Sequence, residues 1–110
     1  MGRHEFEAVV DRVIEELPDW VVERIDNLVV VVEEAPTEGD LLGLYEGVAL
    51  SERDDYSGVL PDRIVVYRRP HLELDLDTPE LEAEIRKTVL HEIAHHLGID
   101  DRRLAELGWG

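Results

Sequence analysis

The sequence predicts a one-domain α+β protein, spanning 1–110, on three observations. Apolar residues recur at helical spacing near the start, short β-branched runs occupy the middle, and a long helical pattern with end signals lies towards the finish. A chain of 110 residues supports one modest core.

From His4 to Leu17 the residues Phe6, Val9, Val10, Val13, Ile14 and Leu17 share one helical face, and Pro18 closes the run. Asp19 to Ile25 is expected to resume as a short second helix. Leu28 to Val32 is a continuous β-branched run and reads as a strand buried on both faces. After the turn-rich Ala35 to Asp40, Leu42 to Leu50 is a weaker strand, whose Gly43 and Gly47 suggest a bulge or the close approach of another backbone. Ser51 to Asp62 reads as a polar loop. Ile64 to Tyr67 is the clearest remaining strand, with Pro70 ending its run. In the connector His71 to Asp77, the alternating Leu72, Leu74 and Leu76 are suited to packing one face. Thr78 as cap with Pro79 opens a helix that should run to Leu97, where Gly98 supplies a left-handed turn. Leu104 and Leu107 mark a last short helix.

That long helix contains His91-Glu92-Ile93-Ala94-His95, followed by Gly98 and Asp101, the pattern H-E-x-x-H-x-x-G-x-x-D. Residues four apart lie about 6 Å along a helix axis, nearly above one another, so His91 and His95 can place two imidazoles on one ion. Glu92, one step around, reaches the metal's water instead of the metal, as a general base must. Ile85, Val89, Leu90, Ile93 and Leu97 fall in one sector, with His91, His95, Glu84 and Thr88 roughly opposite, facing a groove. His96 lies beside the apolar sector and reads as a packing or supporting residue. His4 and His71 have no spacing partner and are expected at the surface. Past Gly98 the chain turns back and brings up a third ligand, for which Asp101 is preferred and Asp100 is the alternative. Either can instead cap the final helix. Two imidazoles and one carboxylate leave a position for water, the open arrangement of a catalytic Zn2+ site.

Composition narrows the function classes. The formal charge is −16, with 27 acidic against 11 basic residues, which opposes binding to nucleic acid or to an anionic membrane surface. With no cysteine there is neither a disulfide framework nor a thiol nucleophile. Met1 to Val13 lacks the apolar core of a signal peptide and no stretch approaches a membrane span, so a cytoplasmic setting is expected.

Three segments, Leu41 to Gly47 (LLGLYEG), Leu60 to Pro70 (LPDRIVVYRRP) and Thr88 to Asp101 (TVLHEIAHHLGIDD), resemble the minimal single-domain zincin-like metallopeptidases of bacteria and archaea. The resemblance covers residues 40 to 109 well and the first helix loosely. It implies a minimal zincin-like fold, a small mixed β-sheet packed against an active-site helix and an N-terminal helix. It further implies His91, His95 and Asp101 as zinc ligands, Glu92 as base, and an edge strand, Leu42 to Ala49, on which a peptide substrate lies. Gly43, Tyr45 and Gly47 are the expected substrate-binding positions there. The methionine turn of metzincins has no counterpart, since Met1 is the sole methionine and nine residues follow Asp101. Trp109 is the candidate to pack beneath the site in its place. The expected function is hydrolysis of peptides or protein segments by a metal-activated water. The alternatives are a zinc-binding interaction module and an amidase acting on a non-peptide substrate.

Overall fold

The computed structural model describes residues 1–49 and 60–108. Five helices, α1 (Arg3–Glu15), α2 (Asp19–Arg24), α3 (Arg68–Leu72), α4 (Thr78–Leu97) and α5 (Asp101–Leu107), surround three strands, β1 (Leu28–Glu33), β2 (Gly43–Glu46) and β3 (Asp62–Tyr67). The sheet is mixed and ordered β1-β3-β2, with β3 parallel to β1 and antiparallel to β2. This is the small mixed sheet, packed on an N-terminal helix and a motif-bearing helix, that the sequence resemblance implies.

The core follows from the periodicities. Phe6, Val9, Val10 and Val13 of α1 meet Leu81, Ile85, Val89, Leu90 and Ile93 of α4 over Ile64 and Val66 of β3. As the central strand, β3 is buried at Ile64, Val65, Val66 and Tyr67. β1 departs from its expected burial on both faces: none of its residues is fully buried and Val29 is 41% exposed, and among the described residues β3 is its one neighbour in the sheet. The guanidinium of Arg3 donates to the Val32 carbonyl on this edge, blunting it against further pairing.

Two local expectations are corrected. Asp77, not Thr78, caps α4: it is extended and its Oδ1 accepts from Glu80 N–H at 2.9 Å, while Thr78 is already helical. Pro70 does not end the run after β3 but lies in the first turn of α3, where the amide a proline lacks would have no helical acceptor. Only the first two residues of the connector, His71 and Leu72, thus lie in helix, and Leu72 and Leu76 pack on the core while Leu74 is 42% exposed. Most of the expected polar loop, like Trp109, lies outside the described residues.

Candidate metal centre

The last two turns of α4 carry the chemistry. The rings of His91 and His95 lie 4.6 Å apart, centroid to centroid, at 72° to each other. Both side chains are about 40% exposed, whereas that of Glu92 is only 10% exposed. Glu92 Oε1 accepts from His95 Nδ1 at 3.0 Å, which leaves the lone pair of His95 Nε2 available to a ligand. One donor atom each from His91, Glu92 and His95 lies within 4.8 Å of the other two. Two imidazoles and a carboxylate at this spacing fit the nitrogen and oxygen preference of zinc.

α4 ends where the motif requires. Gly98 is left-handed, at φ 79°, and Ile99 N–H donates back to the Ala94 carbonyl at 2.8 Å, closing the helix and reversing the chain. The two aspartates then divide. Asp100 caps α5, its Oδ1 accepting from Arg103 N–H at 2.8 Å. Asp101 is the first residue of α5, and its Oδ1 stands 3.9 Å from His91 Nε2 with the side chain 85% exposed.

Beside the motif runs a groove of about 420 Å³, lined by Asp40, Leu41, Leu42, Gly43, Glu84, Lys87, Thr88, His91 and Glu92. A somewhat larger hollow near Trp20 and Arg103 contains no residue of the motif, so size does not identify the site. β2 forms one wall of the motif groove, and it approaches α4 closely. A Cβ on Gly43 would lie 2.7 Å from Thr88 Cγ2 and 3.1 Å from Glu92 Cγ. The face of α4 expected to be open is accordingly narrower, with Thr88 buried beneath β2. The Tyr45 hydroxyl donates to Asp62 Oδ2, and its ring stands edge-on to His96 at 6.0 Å. Gly47 is left-handed, at φ 153°, and a side chain there would run into the Asp62 carboxylate.

Two histidines read differently from the sequence expectation or go beyond it. His96 is fully buried, consistent with a supporting residue; its Nε2 accepts from Asp26 N–H at 3.2 Å, so Nδ1 carries the proton and donates to Asp62 Oδ2 at 2.8 Å. His71, expected at the surface, is also fully buried, edge-on to Phe6, because α3 turns it inward. Its Nδ1–H donates to the Tyr67 carbonyl at 2.7 Å and its Nε2 faces Thr88 Oγ1 at 2.8 Å. Burial pushes the His71 pKa below 6.5, against the opposing pull of its bond to Tyr67. Burial likewise raises the Tyr67 phenol, helped by Glu33 and Glu46. Asp62 and His71 gave no sequence signal, since neither has a partner at helical or strand spacing.

A family model described as zincin-like metallopeptidase matches residues 9–109. The chain belongs to the zincin-like metallopeptidase family. In structure this zincin-like protein is similar to a conserved hypothetical protein from Thermo thermophilus, with a TM-score of 0.62 and 27% sequence identity, covering 96% of this chain and 99% of that one. No curated protein matches it. Family membership and the His91-Glu92-His95 cluster together support a zinc-binding catalytic site. No helix among the described residues is long and apolar enough to cross a membrane.

Proposed function

We propose that this zincin-like protein is a zinc-dependent metallopeptidase that hydrolyses peptide bonds in peptides or protein segments. The observation that carries the reading is the placement of Glu92, nearly buried between the ligand histidines and the wall formed by β2. A structural zinc site is closed by four protein ligands, whereas among the described residues the compact group offers two histidines and a carboxylate positioned for proton transfer. His91 and His95 would hold the ion, with Asp101 as the third ligand, a role supported by its approach to His91 and by the employment of Asp100 as a cap.

When bound, zinc supplies Lewis-acid polarisation of the substrate carbonyl and makes water acidic enough to react near neutral pH. Glu92 accepts a proton from the attacking water as the new C–O bond forms. It then delivers that proton to the departing nitrogen as the peptide C–N bond breaks. The substrate lies extended along the edge of β2 that pairs with no described strand, using backbone groups at Gly43, Tyr45 and Gly47. Tyr45 contributes through its backbone in this reading, because its hydroxyl is engaged with Asp62.

The test is Glu92→Gln, assayed for zinc content and for cleavage of a broad peptide library. Zinc should be retained while hydrolysis falls by at least ~100-fold, the scale of general acid–base catalysis. Undiminished cleavage by the variant would assign the activity to something else. A zinc-loaded wild type that cleaves no peptide would favour a non-peptide amide substrate or an interaction role.

A further inference from the structure

We propose that two buried histidines, His71 and His96, brace the metal-binding turns of α4 against opposite ends of β3, making them, with Thr88 and Asp62, positioning residues of the site. The proposal rests on the reading of His91 and His95 as zinc ligands.

The two histidines bracket the motif. Thr88, the partner of His71, lies one turn before His91 and Glu92, and His96 directly follows His95. Each ring is tied to β3 by a hydrogen bond. His71 Nδ1–H donates to the carbonyl of Tyr67, the last residue of β3, and its Nε2 stands 2.8 Å from Thr88 Oγ1, whose hydroxyl also reaches the Glu84 carbonyl at 3.0 Å. His96 accepts from the Asp26 amide, so its Nδ1–H donates to Asp62, the first residue of β3. All four side chains are buried.

Apolar packing alone is non-directional and leaves a helix free to adjust along a sheet. Buried hydrogen bonds fix one arrangement, because a displaced helix would strand polar groups without partners. The same residues seat the groove wall. Gly43 rests on Thr88, Gly47 on Asp62, and Tyr45 bonds to the oxygen that receives His96. The brace therefore sets both the spacing of the ligand turns and the height of β2 beside Glu92.

The experiment measures zinc affinity by chelator competition, with zinc alone as the probe, alongside thermal unfolding of the metal-free protein. Thr88→Val and His96→Phe break the two arms. Thr88→Ser retains the hydroxyl, and His96→Asn retains a donor towards Asp62. Val13→Ala, in the core on α1, is the control for lost stability without a broken brace. The zinc dissociation constant should rise by about tenfold in each arm-breaking variant, the lower end of what supporting hydrogen bonds contribute to metal sites. It should return towards wild type in Thr88→Ser and His96→Asn, and stay unchanged in Val13→Ala. If His96→Phe does not fold, the nearly isosteric Thr88→Val decides. A folded Thr88→Val that binds zinc like wild type overturns the brace alone, as does equal weakening in Val13→Ala. A wild type that does not hold zinc through His91 and His95 overturns the zinc reading and the brace with it.

Discussion

Replacing Gly43 with alanine probes the contact between the groove wall and the catalytic helix. The added methyl would sit 2.7 Å from Thr88 Cγ2 and 3.1 Å from Glu92 Cγ, where carbon atoms prefer about 3.5–4.0 Å. Thr88 yields poorly, being β-branched in a helix and hydrogen-bonded through its hydroxyl to buried His71. Either β2 lifts away or Thr88 rotates out of its bond. The overpacking should cost about 1–3 kcal/mol. For a domain of this size each kcal/mol lowers Tm by roughly 4–8 °C, measurable by calorimetry. Thr88→Ser removes the opposing methyl while keeping the hydroxyl, so in the double variant much of the loss should return. A Gly43→Ala protein with wild-type Tm would refute the close approach. Simple additivity of the two substitutions would show that the methyl of Thr88 is not what the new side chain meets.

Other consequences concern the aspartates and the buried imidazole. Asp100→Ala should cost roughly 1 kcal/mol of stability, as lost helix caps do, and leave zinc affinity nearly intact; Asp101→Ala should do the reverse, and an inverted ranking in paired unfolding and chelator titrations would reassign the ligand. Because burial lowers the His71 pKa below 6.5, the unfolded chain gains a proton before the folded one as pH falls through that value. The stability associated with neutral His71 is complete above 6.5 and is lost on acidification towards its depressed folded pKa. With chelator present, His71→Gln should flatten part of the decline in Tm between about pH 7 and pH 5, and parallel curves for wild type and variant would contradict this.

The site was legible in the sequence because its central chemistry is local. His91, Glu92 and His95 lie within two turns of one helix, and the left-handed glycine that ends it is three residues further on. The helices α1 and α4 were likewise written in the spacing of their apolar residues. What the sequence concealed depends on distant partners. Asp62 is buried against His96, 34 residues away, and His71 against Thr88, 17 residues away, so neither has a local pattern that reports burial. β1 differs from its expected burial for a related reason, since an apolar run does not report which face of a strand the rest of the chain covers, and Val29 is 41% exposed. Which of the adjacent aspartates caps α5 also needed three dimensions: either could do so in the sequence, and it is Asp100 that accepts the Arg103 amide.

On the proposed function, α4 presents one zinc site through His91 and His95. Its most direct test is metal analysis of the purified protein beside the His91→Ala/His95→Ala double variant. The wild type should carry about one zinc per chain, and the double variant should lose it. Full zinc occupancy in the double variant would contradict the site.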